Sequence, residues 1–216
     1  MSERHYDATY FGWQESLGDV GAVLNRRKFA AYVKPTDTVL DFGCGNGALL
    51  AGLPGKQKIG VDIGEEARTA AAARGITVYA AAADVPAETV DVVISNSALE
   101  HVERPLGELR VVYRALRPGG IAVLVVPIDA WQRQRAYDPV DPNHHLYTWT
   151  PLSFGNLLVD AGFAIESCRV YTHAWRRKSM LIHGRVPEPV FNLAAWMLAV
   201  GLRSRQIHAV ARRPHQ

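Results

Sequence analysis

At 216 residues, 48% of them apolar, and with a net charge of only +3, the chain has enough interior for one α/β domain and lacks the bias of a disordered or fibrous protein. Its two cysteines, Cys44 and Cys168, form neither a zinc spacing nor a disulfide framework, which points to a reducing, cytoplasmic setting. Met1 to Tyr10 is polar without a secretory pattern, and no apolar run reaches the roughly 18 residues that a membrane span needs.

Residues 1–34 open with an aromatic cluster from His5 to Gln14, in which Phe11 reads as packing against a sheet, and continue as a helical stretch through Val23 to Ala30. Pro35-Thr36-Asp37 is a turn that launches a buried strand, Thr38 to Phe42. Next comes Gly43-Cys44-Gly45-Asn46-Gly47 and then the apolar start of a short helix, Ala48-Leu49-Leu50, stopped by Gly52-Leu53-Pro54-Gly55. Three glycines at alternate positions open backbone conformations closed to other residues, and the helix start offers N–H groups to an anion. The spacing is G-x-G-x-G rather than the G-x-G-x-x-G of dinucleotide sites, which disfavours a nicotinamide oxidoreductase. Asp41, two residues before the first glycine, is placed to face an ammonium group or to brace the turn.

A second apolar run, Ile59-Gly60-Val61, ends in Asp62, about 20 residues after the first strand, where α/β sheets offer a carboxylate to ribose hydroxyls. Glu65 to Arg74 is an alanine-rich helix closed by Gly75. Thr77 to Ala81 is a third strand, the stretch Ala80 to Ala83 leads into Asp84, and Val90 to Asn96 is a fourth strand ending in small polar residues. Four strand ends at one crevice make a cofactor site, and the βαβ repetition predicts a mostly parallel sheet.

In this order, Asp41-Phe42-Gly43-Cys44-Gly45-Asn46-Gly47, Val61-Asp62-Ile63, Ala83-Asp84-Val85-Pro86, Asp91 to Val102 and Leu116-Arg117-Pro118-Gly119-Gly120 resemble the successive motifs of class I S-adenosylmethionine-dependent methyltransferases. The resemblance implies a Rossmann-like, seven-stranded, mostly parallel sheet with an antiparallel last strand and helices on both faces. It implies that Gly43, Gly45 and Gly47, with Cys44 and Asp41 beside them, wrap the methionine part of the cofactor. Asp62, with Ile63 next to it, would take the ribose hydroxyls, Asp84 with Val85 would read adenine, and Asn96 would face the transferred methyl. It further implies that residues 1–34 form a lid, which brings Tyr10, Trp13 and Arg27 toward the methionine end or the substrate.

Ser97 to Val102 turns into a helix from Pro105 to Leu116, and Ile121 to Pro127 is the fifth strand. Glu100 and His101 invite reading as an acid and base pair, but the resemblance makes them chiefly a wall on the cofactor side. Residues 129–150 then form a long loop carrying Trp131, Arg133, Arg135, Tyr137, Asp138, Asp141, His144, His145, Tyr147 and Trp149, and a loop of this length and content reads as a substrate-binding insertion. His144 or His145 is the candidate base for a substrate hydroxyl, because imidazole titrates in the right range; the alternative is a pair bracing the loop against Tyr147 and Trp149. Asp138, Asp141 and these histidines are suitable donors for a divalent ion, yet loop spacing alone assigns none and no metal is expected.

Thr150 to Phe154 begins a helix with Pro151 in its first turn, Ala161-Gly162-Phe163 ends it, and Ala164 to Tyr171 is a sixth strand. The last strand is Gln206 to Arg212, with Ile207, Ala209 and Ala211 on one face and His208 and Val210 on the other. Residues 172–205 form an insertion holding Arg176-Arg177-Lys178 and a nearly all-apolar segment, Pro189 to Leu202. A helix flanking a sheet needs one apolar stripe, so the other face is expected to meet a second copy in a homodimer or an apolar acceptor. A peripheral membrane contact beside Arg185, Arg203 and Arg205 is the lesser reading. Residues 169–216 carry 9 basic and 1 acidic groups against 15 and 20 in residues 1–168, which suits an anionic partner or a solvated basic face.

The chain therefore reads as one methyltransferase domain, residues 1–216, that uses S-adenosylmethionine for O-methylation of a small molecule or a sugar or glycan precursor, including a phosphate-linked one. Residues 141–151 resemble segments of bacterial methyltransferases associated with surface polysaccharides. An RNA acceptor is disfavoured: no RNA-binding module is appended, and the asparagine-proline-aromatic run of amino-group methylation is missing after the fourth strand. A non-catalytic protein that binds S-adenosylmethionine is the other alternative.

Overall fold

Runs of β-branched and aliphatic residues, broken by glycine, proline and short helices, set the strands. In the computed structural model, which describes residues 21–129, 134–141, 143–172, 185–202 and 204–215, these are Thr38–Phe42 (β1), Gln57–Val61 (β2), Thr77–Tyr79 (β3), Val90–Asn96 (β4), Leu116–Ile128 (β5), Ala164–Thr172 (β6) and Arg205–Arg212 (β7). They form one sheet in the order β3-β2-β1-β4-β5-β7-β6. The first five are parallel, and β7 runs antiparallel to both β5 and β6. Beyond a helical turn over residues 21–25, the helices of the described residues are Ala48–Ala51 (α1), Glu65–Ala73 (α2), Pro105–Ala115 (α3), Pro151–Asp160 (α4) and Glu188–Leu202 (α5). Thr150 caps α4 in a reciprocal arrangement with Ser153, each side chain bonding the other's backbone N–H.

Alternation along the strands builds a core on each face of the sheet. Leu40, Phe42, Val93, Leu124, Val126, Ile207 and Ala209 pack on one side with Leu109 and Phe154. Val39, Val92, Ile94, Val123, Val125 and Val210 pack on the other with Phe29, Leu50 and Ile76. The expected faces of the last strand are thus realised.

Three of the boundaries that differ from the sequence expectation shift the most. The third strand stops at Tyr79 rather than Ala81, because its neighbour β2 ends at Val61, paired with Tyr79; Ala82–Asp84 becomes a 3-10 turn instead. The fifth strand starts early, at Leu116, and its register against β4 shifts between Val90 and Val92. The stretch from Val23 to Ala30 is helical only to residue 25; 3-10 turns at Arg26–Lys28 and Ala30–Tyr32 follow, with the fully buried Phe29 between them. Residues 1–20, with Tyr10 and Trp13, and likewise Trp131, Arg133, Arg176 to Lys178 and Arg203, lie outside the described residues.

In α5 the buried residues are Phe191, Ala195 and Ala199, while Val190, Leu193, Trp196, Met197, Leu198 and Val200 are exposed. Arg27 donates to Tyr171 on β6 (3.3 Å) and to Asn192 on α5, so its side chain is turned to the insertion. Among the described residues no helix is long and apolar enough to cross a membrane.

Lys28 is buried where these parts meet. Its Nζ donates to Asn96 Oδ1 (3.1 Å) and Gln206 Oε1 (2.7 Å), tying the N-terminal turn to the ends of β4 and β7. Burial, then the charge of Arg27, lowers its pKa from 10.5 to about 7. Above that value the folded protein has released a proton that the unfolded chain keeps, so stability rises with pH until the unfolded lysine titrates in turn. Urea unfolding midpoints are therefore expected to climb between about pH 7 and pH 10, and Lys28→Met to flatten that climb; an unchanged slope in the variant contradicts the assignment.

Candidate functional site

Strand order reverses at β1, between β2 on one side and β4 on the other, and open α/β sheets bind ligands beyond the carboxyl ends of strands at such a point. A cavity of about 210 Å³ lies there, lined among others by Gly43, Gly45, Asp62, Ile63, Asn96 and His101. The glycine turn forms its floor. Gly43, Gly45 and Gly47 all have positive φ, at 77°, 52° and 76°. A Cβ on Gly43 would lie 2.3 Å from that of Ala98, and one on Gly47 would lie 2.5 Å from Ile76 Cδ1. A Cβ on Gly45 would meet no atom within 4 Å, because that position faces the cavity.

Asp62 fixes the turn. Its Oδ2 accepts from Gly45 N–H (2.8 Å) and its Oδ1 from Gly64 N–H (2.9 Å), while Arg68 donates to the carbonyls of Asp62 (2.9 Å) and Ile63 (2.7 Å). Burial raises the Asp62 pKa against the pull of those N–H groups and of Arg68. Asp41 is buried behind the turn, and its Oδ1 has no hydrogen-bond partner. Burial, and then the charge of Asp62, pushes its pKa well up. Two carboxylates in one buried corner suit a ligand that brings a positive charge and donors. S-adenosylmethionine, with its sulfonium, ammonium and ribose hydroxyls, is such a ligand, and these residues fit it.

On the far side of the cavity, Ser95 Oγ donates to the Phe42 carbonyl (2.8 Å) and locks β4 to β1. Ser97 then takes a left-handed conformation (φ 60°), an uncommon choice for serine that turns the chain back along the cavity wall. The turn buries Glu100 completely and leaves His101 at the cavity edge. The loop after β5 returns to this point: the Leu146 and Tyr147 amides both donate to the Glu100 carbonyl (2.8 and 3.2 Å), and Tyr147 Oη donates to the Glu103 carbonyl (2.8 Å). His145 is thereby set beside His101, with ring centroids 5.0 Å apart, and its Nδ1 lies 2.9 Å from Asp129 Oδ2. The hydrogen bond that the Asp129 carboxylate accepts raises the His145 pKa, whereas burial lowers that of His101 to about 4 and raises that of Glu100 to about 7.

The structure brings Gly43, Gly45, Asp62, Ile63 and Asn96 to the cavity, and sets other expected residues behind it or away from it. The Cys44 side chain points into the core, against Gly60, and only the backbone of this residue belongs to the turn. Gly47 serves the packing of α1 on Ala71 and Ile76. Val85 is buried in the core and Asp84 is exposed; Ala80, Ala81 and Ala82 line the cavity in their stead, because the chain leaves β3 early. His144 is exposed at φ 47°, its N–H bonded to Asp141, which also caps Asn143. Asp138 and Asp141 are engaged in local loop turns, and neither joins the cluster of Glu100, His101 and His145. Sequence reasoning passed over Ser97 and Asp129. The position of Asp129 directly after the fifth strand was the available signal.

Fold and crevice together define a class I S-adenosylmethionine-dependent methyltransferase. The chain belongs to the methyltransferase-domain family, which it matches over residues 19–168. A ubiquinone biosynthesis O-methyltransferase of Pseudomonas putida is 38% identical over 95 residues, covering 38% of this chain and 40% of the relative; the chain thus matches less than half the length of that curated relative. An S-adenosylmethionine-dependent methyltransferase of Archaeoglobus fulgidus shares the fold at a TM-score of 0.65 and 21% identity, over 95% of this chain and all of the other. Phosphoethanolamine N-methyltransferase 2 of Haemonchus contortus, in complex with S-adenosyl-L-methionine, does so at 0.65 and 16% identity, over 96% of this chain and 57% of the other.

Two glycine substitutions separate folding from binding. Gly43→Ala should destabilise the protein by about 2–3 kcal/mol through strain and the clash with Ala98. Gly45→Ala should cost only about 1–2 kcal/mol yet weaken S-adenosylhomocysteine binding at least about tenfold, because its methyl enters the cavity. Denaturant unfolding and calorimetric titration check the pair, and equal effects on both readouts contradict the geometry.

Proposed function

We propose that the protein transfers a methyl group from S-adenosylmethionine to a hydroxyl of a small molecule, with the acceptor held at the Glu100–His101–His145 corner beneath the loop of residues 129–150. The observation that carries this reading is the adjacency of two chemistries. The glycine turn and Asp62 suit the cofactor, and the same cavity ends at His101, where a histidine braced by a carboxylate stands next to it. The bound cofactor supplies an activated methyl on a sulfonium centre. The protein's part is to align an acceptor oxygen and to favour loss of its proton.

Within this reading Asp62 holds ribose hydroxyls through lone pairs left over from its two backbone bonds, and Asn96, whose Oδ1 is taken by Lys28, turns its amide donors to the cavity. His145 serves the acceptor and His144 does not, since only His145 is turned inward, on Asp129. The O-methyltransferase name of the Pseudomonas relative supports transfer to oxygen. A sugar or glycan precursor bearing a phosphate is the acceptor class we favour, supported by the likeness of residues 141–151 to polysaccharide-associated enzymes and by the surplus of basic groups in residues 169–216.

Calorimetric titration should show S-adenosylhomocysteine binding that Asp62→Ala abolishes; retained binding in that variant refutes the cofactor assignment. With an acceptor found by screening sugar and phosphate-linked hydroxyl compounds, His145→Ala should lower kcat at least about 100-fold while cofactor affinity stays within about twofold. His144→Ala should retain turnover. Equal losses in the two histidine variants contradict the placement of the acceptor.

A further inference from the structure

Glu100 is the least satisfied charged side chain among the described residues of this corner. It is fully buried, and neither carboxylate oxygen meets a donor in good hydrogen-bond geometry. A buried polar group without partners is costly, and protonation does not cure it, because a neutral carboxyl adds an O–H that needs an acceptor of its own. What surrounds Glu100 is a pair of imidazoles. One donor atom each from Glu100, His101 and His145 lies within 4.8 Å of the others, and His101 Nε2 is 4.0 Å from Glu100 Oε1.

One of these imidazoles, that of His145, is also held from behind in the manner of a metal-bound histidine. Asp129 Oδ2 takes Nδ1 of His145 at 2.9 Å, which fixes the ring and leaves Nε2 for another partner. A carboxylate behind a ligating histidine is a usual support of such a ligand. The backbone adds rigidity, since the loop is pinned by the two amides that the Glu100 carbonyl accepts.

We infer that Glu100, His101 and His145 bind a divalent first-row transition ion, with Asp129 orienting His145, and that the remaining coordination positions take the acceptor's oxygen. The catalytic half of this statement rests on the reading given under Proposed function. One carboxylate and two imidazoles favour zinc, cobalt, iron(II) or manganese over magnesium or calcium, which prefer all-oxygen sets. Bonds of about 2.0–2.2 Å keep ligand atoms roughly 3–4 Å apart, so side-chain rotation closes the set without moving the backbone. The ion would lower the pKa of a bound hydroxyl, as it does for bound water, and the proton would leave to solvent. The oxygen lone pair would then form the new C–O bond while the cofactor sulfur keeps the electron pair of the bond that breaks. His145 thus acts through the cation rather than as a free base.

The test uses the full chain, freed of metal by a chelator, and titrates it with Zn²⁺ by calorimetry and with Co²⁺ by visible absorption, without any acceptor. The wild type should take one equivalent of either ion. Glu100→Gln and His145→Ala should each weaken binding at least about 100-fold, and Asp129→Asn about 10- to 100-fold. His144→Ala should bind as the wild type does. Circular dichroism melts confirm that each variant is folded, and His145, in a loop, keeps the test decisive if Glu100→Gln unfolds. No Zn²⁺ binding tighter than about 1 mM, equal binding by the wild type and His145→Ala, or an equal loss in His144→Ala overturns the inference. S-adenosylhomocysteine binding to the metal-free protein is measured in parallel. If it binds and Zn²⁺ does not, the cation site alone fails; if it does not bind, the proposed function fails whatever Zn²⁺ does.

Discussion

The Asp62 carboxylate, bonded to Gly45 N–H at one oxygen and Gly64 N–H at the other, is the constraint on which the site depends. It sits at the end of β2 but shapes the turn that leaves β1, so the two strand ends cannot move apart without losing a charge-assisted hydrogen bond in a half-buried place. Charge-assisted bonds of this kind are worth about 1.5–3 kcal/mol each, enough to hold three glycines in left-handed conformations that cost them little. The turn in turn leaves Asp41 buried behind it with one oxygen unpartnered. The corner is therefore built at some expense of stability, and a cationic ligand offsets that expense.

The second half of the site depends on a loop that comes home. None of the described residues between 134 and 149 forms a helix or strand, yet the segment is fastened at its end by the Leu146 and Tyr147 amides, by the Tyr147 hydroxyl and by the stacking of Tyr147 on Trp149 (centroids 5.7 Å apart). Trp149 is buried against Phe154 at the start of α4. Aromatic packing therefore carries the loop, and the histidine it positions is polar cargo. The bracing role of Tyr147 and Trp149 and the inward placing of His145 are two parts of one arrangement.

Much of this was legible in the sequence because it is local. Strands β1, β2 and β4, the glycine turn, Asp62 and Asn96 announce themselves through β-branched runs that stop at glycine or a polar residue, and the resemblance of the motifs set their order. What was not legible depends on distant partners. Asp84 and Val85 were expected at the cavity, but the edge strand has no neighbour to continue on past Tyr79, and the chain turns before reaching it. Lys28 looks like one of three consecutive basic residues, and only the packing of β7 and β4 around it makes it a buried tether. Glu100 and Asp129 belong to the site through their separation from His145 in space, which the loop's return decides.

Hydrogen–deuterium exchange of the protein with and without S-adenosylhomocysteine tests the central claim most directly, because it reports where the ligand sits without requiring an acceptor. The account predicts slowed exchange in peptides spanning Gly43–Ala48, Asp62–Gly64 and Ser95–His101, with the helix Pro151–Asp160 unchanged. Protection confined to other segments, or none in the glycine turn at saturating ligand, would contradict it.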